Sequence, residues 1–271
     1  MESVLGSVTL HSSSNTILDV DGDLQVASGV SLEKEVRVGG NARIDEGVRL
    51  RALKAEGDVF LAPRVTVERW IDAGGRLTIS GQTSTGERAT AVVEIVLDRD
   101  VRFRVLAAPV IRMGPHHRGD VRPKSAAEGR PAEEFADPRR LRIRADGALL
   151  VEHDFILPSG AVALGDVVAR GAIGIGRNAL IIGSLHSDTE IVLEAESVVS
   201  GSLFAEHSMT IGPRAVVTEH ALTRGAGRLL DNVRIGTVGR VTTLMARHGL
   251  ELAAGTLVHG RIVAASGGVT I

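Results

Sequence analysis

Three consecutive lines of eighteen residues decide the fold: residues 147–164 read GALLVEHDFILPSGAVAL, residues 165–182 read GDVVARGAIGIGRNALII, and residues 183–200 read GSLHSDTEIVLEAESVVS. Each line begins with a glycine and repeats a pair of mostly aliphatic residues, two positions apart, about every six residues. Fixed self-similarity of this kind marks a repeat architecture, because each unit can bury its apolar side only against its neighbours. The aligned columns run on into the next repeat, and they are Gly147, Gly165, Gly183 and Gly201; Leu149, Val167, Leu185 and Leu203; Phe155, Ile173, Ile191 and Met209; and Leu157, Ile175, Leu193 and Ile211.

The spacing within each repeat predicts strands. Apolar residues at i and i+2 are typical of a β-strand, and the break at every sixth residue indicates a corner. Three short strands per repeat close a triangular coil. The N-terminal part carries the same pairs, among them Leu24 with Val26 and Val30 with Leu32. We therefore predict an all-β fold, a parallel β-helix with about 18 residues per coil and a rise of roughly 4.8 Å per coil.

Composition agrees with a narrow aliphatic core. Aromatic residues make up 2% of the 271 residues, fewer than a thick sandwich or a ligand-lined pocket usually draws on. The net charge of −2 argues against a general polyanion binder, so nucleic acid is an unlikely partner. The chain has no cysteine, no run of about 18 apolar residues and no basic leader, and we expect a cytoplasmic protein.

The repeat pattern divides the chain into four parts. We predict an N-terminal leader or cap at 1–17, a first β-helical part at 18–81, an insertion at 82–140 and a second β-helical part at 141–271. The insertion contains a polar link, two plausible strands and half of the prolines, which indicate an irregular loop. These prolines are Pro115, Pro123, Pro131 and Pro138.

The repeats at 22–38 (GDLQVASGVSLEKEVRV), 57–67 (GDVFLAPRVTV) and 201–217 (GSLFAEHSMTIGPRAVV) resemble those of the bactofilins, bacterial polymer-forming cytoskeletal proteins. The likeness covers roughly two thirds of the chain and is carried by periodicity. It implies a right-handed β-helix and nucleotide-independent filaments built by end-to-end stacking, often at the inner face of the membrane. The internal insertion departs from the family pattern.

Assembly is also predicted on physical grounds. A β-helix exposes unpaired strand edges at its ends, and stacking of such ends on other copies yields a filament. The candidate contact residues of the terminal coils are Leu24, Val26, Val269 and Ile271. The alternative is a non-polymerising β-helical adaptor, in which the insertion folds over one end.

An enzyme is the third alternative. The segments IGRNAL at 175–180 and IGPRAV at 211–216 resemble the hexapeptide repeats of acyltransferases, but most hexads here carry two aliphatic residues rather than one. The histidines of the second part occupy different phases of the coil, which does not favour a general base in a shared cleft. We therefore predict no catalytic residues, cofactor or metal; His116 and His117 lack a third ligand in sequence.

One basic segment stands out. Between Arg99 and Asp146 there are 12 Lys and Arg residues against 7 Asp and Glu residues, a net charge of +5. Its densest part is Arg139, Arg140, Arg142 and Arg144, of which the last three would share one face of a strand. We predict that they bind an anionic partner, such as a membrane surface or an acidic protein. The competing interpretation is a solvated face paired with nearby acids.

Overall fold

The computed structural model describes residues 1–114 and 129–271 and shows an all-β parallel solenoid of about 14 turns with about 18 residues per turn. These turns are divided between two solenoids. On one face the first stacks seven strands, β1, β3, β5, β7, β9, β11 and β13, and the second stacks seven more, β16, β19, β22, β25, β28, β31 and β33. We call this face the A face in both solenoids. The predicted fold class is confirmed.

The strands of the first solenoid are β1 (Glu2–Val4), β2 (Val8–Leu10), β3 (Leu18–Val20), β4 (Leu24–Val26), β5 (Ser31–Val38), β6 (Ala42–Ile44), β7 (Arg49–Ala55), β8 (Val59–Leu61), β9 (Thr66–Ala73), β10 (Leu77–Ile79), β11 (Arg88–Ala91), β12 (Ile95–Leu97) and β13 (Arg102–Met113). The long strands β5, β7, β9 and β13 bend around corners of the coil. The connecting segment then contributes β14 (Arg130–Pro131), a 3-10 helix (Ala132–Phe135) and β15 (Leu141–Ile143).

The strands of the second solenoid are β16 (Leu149–Val151), β17 (Phe155–Leu157), β18 (Val162–Leu164), β19 (Val167–Ala169), β20 (Ile173–Ile175), β21 (Leu180–Ile182), β22 (Leu185–Ser187), β23 (Glu190–Leu193), β24 (Val198–Val199), β25 (Leu203–Ala205), β26 (Ser208–Ile211), β27 (Val216–Val217), β28 (Ala221–Thr223), β29 (Ala226–Leu229), β30 (Arg234–Ile235), β31 (Thr242–Ala246), β32 (Gly249–Leu252) and β33 (Leu257–Thr270). The strand β33 runs around all three faces of the last coil.

The register reproduces the sequence columns. Leu149 pairs with Val167, and Phe155 pairs with Ile173, each eighteen residues on. The glycine column has a steric cause at two of its positions. A Cβ atom on Gly183 would lie 2.4 Å from the carbonyl oxygen of Gly165, and one on Gly201 would lie 2.6 Å from that of Gly183. Successive coils therefore approach too closely for a Cβ atom at Gly183 and Gly201, whereas a Cβ on Gly147 or Gly165 would meet no atom within 4 Å.

The core is a single thin column of aliphatic side chains. Strand after strand alternates buried and more exposed residues, as in Leu24, Gln25 and Val26. Inward positions such as Ile44, Leu61 and Ile191 are fully buried. Because each coil adds only a few such residues, stability comes from stacking many coils.

The structure differs from the predicted boundaries at both edges of the first part. Residues 1–17 form a coil of their own, since β1 pairs with β3 and β2 pairs with β4. Residues 82–113, assigned to the insertion, continue the solenoid. Sequence periodicity failed there because threonines replace aliphatic residues inside: Thr83 and Thr85 are buried, and the Thr83 hydroxyl donates to the Ala62 carbonyl at 3.2 Å.

The two solenoids join at their C-terminal coils. Strands β13 and β33 pair antiparallel through eight residue pairs, including Arg102 with Val269, Leu106 with Ile262, and Ile111 with Val258. Both solenoids start at an outer end of the rod and finish at this joint, so their strands run in opposite senses where they meet. The result is one rod with the joint at its centre.

The first coil of the second solenoid is covered by the connecting segment. Strand β15 pairs antiparallel with β16, and β14 pairs parallel with β18. The 3-10 helix contacts β17 and β18 and buries Ala132. Each of the three strands of that coil thus has a neighbour from this segment, which we call the cap (residues 130–143). Phe155 and Leu157 are fully buried beneath it.

Candidate interaction surfaces

None of the four predicted polymer contacts lies on an end coil of the rod. Leu24 and Val26 are buried in the second coil, where they pair with Val8 and Leu10 of the first. Val269 pairs with Arg102 of the same chain, and the backbone amide of Ile271 donates to the Leu252 carbonyl at 2.9 Å. The expectation of an open C-terminal end is therefore corrected, because β13 already occupies the edge on which another copy would stack.

The remaining end, at the first coil, has a charge at one core position, beside the half-buried apolar residues Val4, Val8 and Leu10. Glu2 takes the register position that Leu18, Val36 and Leu53 occupy in the next three coils, all of them buried. A charge at a core position of an end coil opposes stacking, because a partner would have to desolvate it. Side chains also supply hydrogen bonds here: the Ser7 and Ser13 hydroxyls accept from the backbone amides of Asp23 and Ser31, each at 3.0 Å.

Three residues of the predicted basic group lie on the cap and the fourth, Arg144, directly follows it, with acids beside them. Arg140 is 3.9 Å from Asp137, Arg142 is 3.7 Å from Glu152 and Arg144 is 3.1 Å from Asp146. Arg139 is exposed on the turn before β15. These contacts favour a solvated, internally paired face. Binding of an anionic partner stays a prediction.

The most unusual surface was missed by the sequence reasoning, although the spacing carries its signal. In the second solenoid the outward residues at the centre of the A face form a row that we call the outer stripe, with one half-buried side chain per coil: Leu150, Val168, His186, Phe204, Leu222, Met245 and Val263. Val105 continues the row across the joint, opposite Val263. The rings of His186 and Phe204 lie 4.7 Å apart.

The fold does not demand an apolar row at this place. The central outward residues of the first solenoid's A face are polar or charged in every coil except the last, where Ala107 takes the position: Ser3, Asp19, Arg37, Lys54, Asp72 and Thr90. An arginine marks each end of the outer stripe, since Arg142 pairs with Leu150 and Arg88 pairs with Val105. Apart from His186, the stripe is therefore a bounded apolar surface, of the kind that often marks a contact site.

A charged column runs beside the outer stripe. It consists of the residues that follow the A-face strands of the second solenoid: Glu152, Arg170, Asp188, Glu206, Arg224 and Arg247. Within the chain Arg224 is 2.9 Å from Glu206, and its guanidinium lies 5.8 Å from the Phe204 ring. The stripe thus has a rim with both signs of charge.

The joint contains one buried histidine. Burial of the imidazole holds the pKa of His259 below its usual 6.5; a hydrogen bond to the backbone of Pro109 opposes this shift, and the nearby Arg234 guanidinium reinforces it. A neutral imidazole is therefore favoured at the place where the two solenoids meet.

Within residues 1–114 and 129–271, no three His, Asp or Glu side chains gather closely enough to hold a metal ion. His116 and His117 lie outside the described residues. Nor does any helix in the described ranges have the length and apolar character for crossing a bilayer.

The fold and these surfaces define the class of the protein, a parallel β-solenoid. Comparison with protein-family models, with curated proteins and with solved structures finds no match. The bactofilin resemblance is thus carried by the repeat pattern alone and stays a prediction.

Proposed function

We propose that this chain is a finite β-helical scaffold rather than an enzyme, and that it meets its partners along its side. The observation that carries the proposal is the outer stripe, a bounded and mostly apolar row of side chains on a rod that has the cap over one end and the charged Glu2 at a core position of the other. The largest apolar patch on a soluble monomer, of roughly 300–600 Å², is often a functional contact site.

End-to-end filament assembly, which the bactofilin resemblance implies, has less support. A filament needs a free apolar coil at both ends of the subunit. In the described chain the cap covers one end and Glu2 occupies a core position at the other. The observations therefore favour the alternative of a rod that does not polymerise through its ends.

Negative-stain electron microscopy of the purified chain, without nucleotide and over a range of protein concentrations, tests this proposal. About 14 coils at roughly 4.8 Å each give a rod about 67 Å long. We expect short rods of that length, single or side by side, at every concentration. Unbranched filaments one rod thick would contradict the proposal and support assembly through the ends.

A further inference from the structure

We infer that the occupant of the outer stripe is a second copy of this chain, related by a two-fold axis that crosses the stripe between Phe204 and Leu222. The inference rests on the proposed function, because it names the partner of that surface. Three features of the described residues support it: the spacing of the outer stripe, the charges on its rim and the surface area that the stripe offers.

The spacing favours an identical partner. The side chains of the stripe recur once per coil, about 4.8 Å apart. A second copy carries the same repeat, so two stripes stay in step along their whole length. With Val105 the row has eight levels, and Phe204 and Leu222 are the two central ones. A two-fold axis between them sets Phe204 against the second copy's Leu222, and His186 against its Met245.

The rim charges are complementary in the same arrangement. A two-fold axis parallel to the strands reverses the order of the charged column but keeps it on the same side of the stripe. Glu206 then faces the second copy's Arg224, and Asp188 faces its Arg247. Of the two remaining charged levels, Arg170 meets the uncharged Ala265, and Glu152 meets the region of Arg104, whose guanidinium donates to the Ala265 carbonyl at 3.0 Å.

The size of the contact predicts its strength. Eight levels span about 34 Å, and a strip roughly 10 Å wide offers on the order of 340 Å² per copy. Standard stable interfaces bury about 800 Å² per partner. The dimer is therefore weak and reversible, and its formation depends on protein concentration. Because the two-fold axis closes the assembly, growth stops at two copies.

A charge exchange between Asp188 and Arg247 tests this register. The two residues lie three coils apart in one chain, about 14 Å, which exceeds the screening length of about 8 Å at physiological salt. Coupling between them must therefore arise between copies. In a dimer of the Asp188→Arg variant, two positive charges meet at both contacts, and in a dimer of Arg247→Asp two negative charges meet. An equimolar mixture of the variants restores opposite charges at both contacts.

Analytical ultracentrifugation over a range of concentrations provides the readout, with circular dichroism as the control for folding. We expect a monomer–dimer equilibrium for the unmodified chain, and a dimer Kd at least about tenfold higher for each variant alone. The mixture should dimerise at least as well as the unmodified chain. A mixture no better than its components, or an unmodified chain that stays at 28.5 kDa throughout, overturns the inference. Neither result produces the filaments that would overturn the proposed function.

Discussion

At the scale of the residue, the glycine column sets how closely coils approach. We expect Gly183→Ala to lower the free energy of unfolding by about 1–3 kcal/mol, because the new Cβ would press on a backbone carbonyl that cannot move alone. The matched control is Gly174→Ala in β20, where the nearest atom, Ile156 Cγ1, lies 3.9 Å from the new Cβ. Chemical denaturation of both variants measures the difference. Equal effects would show that the glycine column has another cause.

His259 makes the joint sensitive to acid. Its pKa is lowered in the folded chain by burial, so the unfolded chain binds a proton more readily below about pH 6.5. The stability that the neutral imidazole supports is present above that pH and is lost as the pH falls. We expect the melting temperature to drop more between about pH 7.5 and about pH 5.5 in the unmodified chain than in His259→Gln. Parallel slopes for the two proteins would contradict this role.

Sequence reasoning predicted the core columns at this scale but not their exceptions. Alternating aliphatic residues fix which side chains point inward, as Leu149 and Val167 show. Glu2 and Thr83 occupy interior positions of the coil without being apolar. A periodic pattern cannot identify such residues, because their places follow from register with neighbouring coils and from hydrogen bonds.

At the scale of the element, the first coil carries one charge, Glu2, at a core register position. We expect Glu2→Leu to create an apolar end and hence species of twice the mass through end-to-end contact. The test uses a Phe204→Glu background, in which the outer stripe is disrupted. Ser3→Leu is the matched control, because Ser3 shares the outward register of Asp19. Light scattering after size exclusion measures the molar mass of the two variants. Monomers in both cases would show that Glu2 alone does not block this end.

The insertion illustrates where element prediction stopped. The two strands predicted at 91–97 (AVVEIVL) and 101–106 (VRFRVL) overlap β12 and β13, but their membership in the solenoid was not predicted. Covering of one end by the insertion was predicted as the alternative to a polymer, but the strand that covers it was not, because β15 pairs with β16 through an antiparallel hairpin that lies outside the repeat. Local patterns predict strands; they do not tell which edge a strand outside the repeat will cover.

At the scale of the whole molecule, the chain is a rod. Each solenoid has its first coil at one end of the rod and its last coil at the centre, where the two solenoids meet. The repeat predicted the coils but not this arrangement. Residues such as Val105 and Val263 are distant in sequence and belong to separate repeats, so periodicity carries no information about their contact. The arrangement decides function, because it removes the C-terminal edge from any assembly through the ends.

An engineered disulfide tests this joint most directly. The chain has no cysteine, and Val105 and Val263 are paired across the joint at a Cα separation of about 4.5–5.5 Å, which a disulfide can bridge. We predict that oxidised Val105→Cys/Val263→Cys forms one bond within a single chain at low protein concentration, seen by intact mass and non-reducing electrophoresis. Val105→Cys/Val168→Cys, with its residues several coils apart, should keep free thiols. Free thiols in the first variant, or cross-links only between chains, would contradict a rod closed at its centre.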